Sequence, residues 1–345
     1  MHNQLLSGLI RSIMQRRDTI FAVLFALIAG LPSGLTGQET ETFKPGGKPE
    51  VRIFTSLSSS FSDGETRNKF DLTRAYFGYN YNFSQKLSGR VVFDVADPSA
   101  GKLKFTGMLK FGYLRYQTGK WTITGGMIPL PQYDIGDKRW GFRYVFKPFH
   151  DEYGFGGAAD LGLSAVYRIA PWFSADVTLM NGEGYKLAEA DSTFKAAAGI
   201  TISPVKELSL RGYFDTMTKN GTDQQTVELI ATFETGRFIL STAYNFQKNH
   251  NLTDGNDYHG YTFNGTLSIS DRVKVFGRYD NVTSEKVGNS PEPWNIARDG
   301  QLILGGFDII LAPGVNLSPN YQGWKPADTG MPFVSRFMIS LDLKI

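Results

Sequence analysis

From Pro49 to the last residue, apolar and polar positions alternate with a period of two in segments of about ten residues, the signature of strands with one apolar face. Leu208, Leu210, Gly212 and Phe214 fall on one side of such a segment, and Ser209, Arg211, Tyr213 and Asp215 on the other. Leu87, Gly89, Val91, Phe93 and Val95 alternate with Ser88, Arg90, Val92 and Asp94. Val273, Val275, Gly277 and Tyr279 alternate with Lys274, Phe276, Arg278 and Asp280. In a soluble sandwich the ionic face meets water and the apolar face a packed core. In a barrel that crosses lipid the two faces exchange places.

The connections choose between these. Very short turns are expected at residues 84–86, 118–120, 170–172, 204–207, 235–237, 270–272 and 313–314. Longer polar or glycine-rich loops are expected between them, at 61–69, 96–107, 128–158, 182–193, 218–225, 248–257, 283–298 and 323–334. Strict alternation of short turns with long loops is the habit of transmembrane barrels, whose turns face the periplasm and whose loops face outward. Seven turns and eight loops predict an all-β, antiparallel up-and-down barrel of about sixteen strands, over 49–60, 70–83, 87–95, 108–117, 121–127, 159–169, 173–181, 194–203, 208–217, 226–234, 238–247, 258–269, 273–282, 299–311, 315–322 and 335–345. Lys110 and Asp308 interrupt the alternation of the fourth and fourteenth strands. The chain stops inside a strand, with Phe337, Ile339, Leu341, Leu343 and Ile345 on one face, as closure against the first strand requires.

Aromatics take a defined place in this scheme. Tyr79, Tyr81, Phe83, Tyr116, Trp121, Tyr167, Trp172, Phe233 and Phe238 crowd the strand ends beside short turns, where aromatic girdles mark the membrane interface. At the front of the chain, Arg11, Arg16 and Arg17 precede an apolar run over Ile20–Ile28 and then small residues to Gly37. Residues 1–37 are therefore expected to be a secretory signal peptide, followed by a short periplasmic tail at 38–48 and the barrel at 49–345. The 345 residues contain no Cys, which rules out disulfides, a thiol nucleophile and thiolate metal sites. Thirty-six Lys and Arg against 33 Asp and Glu leave no basic face for nucleic acid.

With the apolar face on lipid, the interior receives Arg74, Arg90, Arg115, Lys195, Arg211, Lys274, Arg278 and Arg336 beside Asp94, Asp176, Asp215, Glu228, Asp280 and Asp342. So many charges imply a water-filled lumen, and sixteen strands are enough to enclose one. Arg90 with Asp94, and Arg211 with Asp215, are candidate neutralising pairs. The third loop, 128–158, is too aromatic to float in solvent and is expected to fold into the lumen. Trp140, Phe142, Tyr144 and Phe146 would then pack on the wall, and Lys138, Arg139, Arg143 and Lys147, opposed by Asp134, Asp137, Asp151 and Glu152, would form a charged constriction.

The strings RAYFGYNYNFSQKLSGRVVFDVAD, LKFGYLRYQTGKWTITGGMIPLP and ADLGLSAVYRI, with FSADVTLMNGEGY, resemble the early strands and third loop of the phosphate-selective O and P porins, in their general-porin branch. The resemblance implies a sixteen-stranded diffusion porin, often a homotrimer, in the outer membrane of a Gram-negative bacterium. Its partners would be outer-membrane lipid and small hydrophilic solutes or inorganic anions, with a phosphate-like preference as a refinement. In this chain acidic residues are mixed with basic ones, in place of a continuous basic ladder.

Two other functions compete with diffusion. A barrel-embedded hydrolase needs a nucleophile and base in registration, but the four His, at 2, 150, 250 and 259, suggest none. A binding or assembly anchor would act through its loops. The stretch NHNLTDGNDYH ending at His259 offers oxygens and imidazoles but no EF-hand spacing. No catalytic residue, cofactor or resident metal is expected.

Overall fold

The computed structural model describes residues 43–96, 105–189 and 192–345. The expected signal peptide, the first part of the tail, residues 97–104 of the second loop and residues 190–191 of the fourth lie outside them. The barrel occupies Lys44–Ile345. Its sixteen strands are β1 (Gly46–Ser62), β2 (Glu65–Asn82), β3 (Leu87–Ala96), β4 (Thr106–Thr118), β5 (Trp121–Pro129), β6 (Ala159–Ala170), β7 (Phe173–Met180), β8 (Lys195–Val205), β9 (Leu208–Lys219), β10 (Thr222–Glu234), β11 (Phe238–Lys248), β12 (Tyr258–Ser270), β13 (Val273–Ser284), β14 (Gly300–Ala312), β15 (Val315–Pro326) and β16 (Val334–Lys344). Each pairs with its chain neighbours, and β1 pairs with β16 to close the barrel. The closing seam runs antiparallel from Arg52 opposite Lys344 to Phe61 opposite Ser335, so no strand edge faces lipid there.

Three sequence expectations change. The tail is shorter than expected, because Gly46–Pro49 already pairs with Tyr79–Asn82. The first and fifth loops are not long: β1 and β2 meet at Asp63–Gly64, and β9 and β10 at Asn220–Gly221. All four residues have positive φ, between 50° and 85°, the two-residue hairpin geometry that Asp-Gly and Asn-Gly favour. The alternation of short and long connections therefore has two exceptions, and those dipeptides were the legible signal. Finally, Asp308 does not disturb β14, since it lies inward in step with Leu302 and Leu304. Lys110 does disturb β4, where a register shift opposite Val92 and Phe93 turns Lys110 and Phe111 inward together, as a bulge does.

The faces are assigned as the alternation requires for lipid. Leu57, Phe77, Phe93, Leu114, Leu229, Leu240, Phe263, Ile303 and Phe337 are exposed on the outside, whereas Arg74, Asp94, Arg211, Glu228, Arg278 and Asp342 are buried inside. Near the short-turn end, Trp121 and Tyr167 lie 4.4 Å apart between ring centres and Phe233 and Phe238 5.8 Å, an outward aromatic belt. Leu229→Arg, on the outer face midway along β10, is expected to cost ~2–4 kcal/mol, the price of a cation at the bilayer midplane. Thr226→Arg on the inner face should not carry this depth dependence. Equilibrium unfolding from liposomes checks the pair, and equal costs in thick and thin bilayers would contradict the facing.

Candidate functional site

The third loop leaves β5 at Pro129 and enters the lumen as helix α1 (Pro131–Trp140), followed by the single turn α2 (Phe149–Glu152). The sequence reading expected only loop here, although the helix carries its own signals. Pro131 sits where a missing N–H is harmless, Asp134 lies in the first turn, and Lys138 and Arg139 lie in the last, matching the helix dipole. Gly141, at φ 76°, ends it, donating its N–H to the Asp137 carbonyl at 2.8 Å.

Apolar side chains hold the loop to the wall. Trp140, Phe142, Tyr144 and Val145 pack with Phe54, Tyr76, Phe276, Leu302 and Leu304, which project inward from β1, β2, β13 and β14. Phe142 stacks on Phe276 at 4.4 Å. Farther along, Phe149 and Phe155 join Tyr258 and Val282, with Phe155 stacked on Tyr258 at 4.7 Å. Six such side chains at ~1.5–3 kcal/mol each amount to on the order of 10 kcal/mol. Polar contacts fix the depth: Tyr144 Oη donates to Asp308 at 2.7 Å, Gln322 Nε2 to the Val145 carbonyl at 3.2 Å, Arg278 Nη1 to the Lys147 carbonyl at 2.7 Å, and Gln247 Nε2 to the Phe155 carbonyl at 3.1 Å. The loop is thus a fixed internal partition, anchored to several sides of the lumen. Inward aromatics on otherwise polar faces, such as Phe54 and Phe276, were the sequence signal for its docking patch.

The charges in the lumen pair differently from the sequence expectation. Arg74 binds Asp94 and Arg90 binds Glu50, while Arg211 grips Asp176 with two hydrogen bonds of 2.7 and 3.0 Å. The expected pairs Arg90–Asp94 and Arg211–Asp215 do not form, because residues four apart on one strand stand ~13 Å apart, whereas Arg90 reaches Glu50 and Arg211 reaches Asp176 across one intervening strand. Arg278 pairs with Asp280 at 2.7 Å and lies over the Trp140 ring at 4.9 Å. Asp215 accepts from Tyr213 Oη at 2.8 Å, and Arg115 Nε donates to Thr124 at 3.2 Å.

Some of the lumen charges are sealed from solvent. Arg211, Arg278, Asp94 and Asp215 are each at most 4% exposed, the first three in close ion pairs. Lys110 is buried with its ammonium 4.6 Å from the Tyr76 ring centre and 5.4 Å from that of Tyr133.

The third-loop cations divide into two kinds. Arg143 is buried: its Nη2 donates to Asp151 at 2.8 Å, its Nη1 lies 3.5 Å from Asp137, its Nε reaches Tyr76 Oη at 3.3 Å, and it stacks over Tyr133. Burial raises the Asp151 carboxyl, but Arg143, with His150 and Lys147, outweighs burial and holds it at about 2. Arg139 pairs with Glu234 at 2.9 Å and Lys147 with Glu152 at 3.3 Å. Lys138 is exposed and has no ion pair among the described residues. Asp134 lies between Lys138 and Arg115, which lower its carboxyl against a larger raising effect of burial.

On the long-loop side the partition borders a cavity of about 410 Å³ whose walls include Glu152, Tyr153, Arg298, Trp324 and Arg336. Nearby, the loop at 249–257 closes on itself, with Asn249 Oδ1 accepting from Gly255 N at 2.9 Å and Asp257 Oδ1 from Asn249 N at 3.0 Å. Its His250 stacks on Trp294 at 5.3 Å. Burial, and then Lys195, lower the His250 imidazole from its ordinary value. The fold therefore prefers the neutral ring, and this contribution is full above pH ~6.5 and declines as pH falls below it. Protection factors at 249–257, which express exchange relative to the intrinsic amide rate at each pH, are expected to fall between pH 7 and 5 in the wild type, and His250→Gln should remove that fall.

No protein-family model and no curated protein sequence matches the chain. Solved structures do match. OprB of Pseudomonas putida aligns with TM-score 0.68 at 10% identity, over 87% of this chain and 94% of that one. An anion-selective porin from Comamonas acidovorans aligns with TM-score 0.65 at 12% identity, over 88% and 100%. The outer-membrane channel DcaP of Acinetobacter baumannii aligns with TM-score 0.64 at 13% identity, over 90% and 100%. The chain has the outer-membrane porin fold. At these identities the likeness extends to the closed sixteen-stranded barrel.

Proposed function

We propose that the protein is a diffusion channel in the outer membrane of a Gram-negative bacterium, passing small hydrophilic solutes or ions past the third loop. The observation that carries this reading is a closed barrel with an apolar outer face and an ionic inner face, partitioned by its own loop. The likeness to porins supports it, as does the engagement of the three described imidazoles with Gln247, Glu285 and the Tyr133 ring, contacts that dock loops rather than activate a nucleophile. A third loop fixed in the lumen favours small solutes. A modest anion preference follows from Arg115 and Lys138, whose cations are not cancelled by an ion pair, and phosphate-like anions are the class the sequence resemblance suggests. A homotrimer is the assembly we expect. Single-channel recording in planar bilayers tests the core reading: discrete steps with a reversal potential of the anion sign in asymmetric salt are expected. Silent bilayers at protein levels that insert efficiently would overturn it.

A further inference from the structure

Between the third loop and strands β6–β11 lies a partly enclosed cavity of about 90 Å³. Its walls carry an excess of negative charge: Asp160, Asp215 and Glu228 face one ammonium, Lys195, and one imidazole, His150. Asp160 is committed to the backbone, accepting from the N–H groups of Leu161 at 2.7 Å and Gly182 at 2.8 Å, and Glu228 accepts from Gln132. Other acceptors are not used. Asp215 gives Oδ2 to Tyr213, but its Oδ1 has no hydrogen bond and stands 3.9 Å from Lys195 Nζ. Asn245 Oδ1 is likewise without a partner, in a side chain 0% exposed. Each unmade hydrogen bond at a buried group is unfavourable, and an excess of buried carboxylates more so.

We propose that this cavity binds a small organic cation with several N–H donors, of the guanidinium or primary-ammonium class. Water alone would satisfy the neutral acceptors, since the space has room for several molecules, but it would leave the charge uncompensated. A metal ion fits poorly: among the described residues no three carboxylate or imidazole groups converge on one point. The acceptors instead sit around the cavity wall, which suits a cation whose donors point in different directions. Leu130, Phe155 and Met180 supply an apolar side for a short alkyl stem. The inference concerns a binding site and rests on the channel reading only for the route by which the cation arrives.

The test is calorimetric titration of the purified barrel in detergent with millimolar guanidinium, methylammonium, urea and tetramethylammonium. Guanidinium and methylammonium are expected to bind one per chain, with urea, the uncharged isostere, and tetramethylammonium, which has no donor, at least ten-fold weaker. Asp215→Asn should weaken guanidinium binding ten-fold or more. Lys195→Met, which removes the like charge and preserves an apolar stem, should tighten it several-fold and decides the matter if Asp215→Asn does not fold. Equal affinity for urea and guanidinium, or Lys195→Met without effect, would overturn the proposal. Because the readout is binding in detergent, a protein that binds the cation yet never conducts refutes the channel, and one that conducts without binding refutes this site.

Discussion

Arg143→Met is expected to raise single-channel conductance roughly two-fold or more and to make the open current noisy, by loosening the partition that narrows the lumen. Arg143 joins three parts of the third-loop assembly: Asp137 on α1, Asp151 on α2 and Tyr76 on the β2 wall. Removing one member of a buried ion pair costs ~3–5 kcal/mol, because the carboxylate left behind has lost its counter-charge. That is a large fraction of the order of 10 kcal/mol with which apolar burial holds the loop, and it falls on the segment between the helices. The sixteen-stranded closure involves none of these contacts, so the barrel should still fold and insert. Arg143→Lys retains the charge but not the paired hydrogen bonds and should lie between. An unchanged conductance for Arg143→Met in correctly inserted protein would show that the third loop does not limit the path.

The second large effect concerns ion preference. Replacing Arg115 and Lys138 together by Gln is expected to lower the anion-to-cation permeability ratio several-fold at low salt. A unit charge about 8 Å from a passing ion in a water-like dielectric contributes ~0.5 kcal/mol, and it acts in opposite senses on anions and cations. The paired double change Arg139→Gln with Glu234→Gln removes one charge of each sign and should leave the reversal potential almost where it was. Should the two double variants shift it equally, the selectivity would lie elsewhere in the lumen.

Much of the barrel was legible because its information is local. Alternation with period two sets the face of every residue in a strand, and in lipid the apolar face must be outermost, so Leu229 and Glu228 could be placed from their immediate neighbours. The last strand carries the same alternation, which placed its two faces as well. Polarity alone suggests loops at Asp63–Gly64 and Asn220–Gly221, but both residues of each pair tolerate positive φ and make hairpins. Helix α1 was similarly masked by the reading of its segment as loop, although Pro131 and Gly141 bracket it.

The site divides along the same line. That Trp140, Phe142 and Tyr144 must find an apolar surface was evident from their types, and the lumen was the only large volume able to supply one. That Arg143 is sealed and Lys138 is exposed depends on which turn of the loop meets which strand. The pairings Arg74–Asp94, Arg211–Asp176 and Tyr144–Asp308 join positions far apart in the chain, and strand register with loop depth brings them within 3 Å. The sequence by itself determined the architecture and its inside and outside, because hydrophobic sorting acts residue by residue. Only the tertiary structure decided which charges cancel and which remain to act on a solute, because Coulomb energy in a low-dielectric interior depends on distances that no period along the chain encodes.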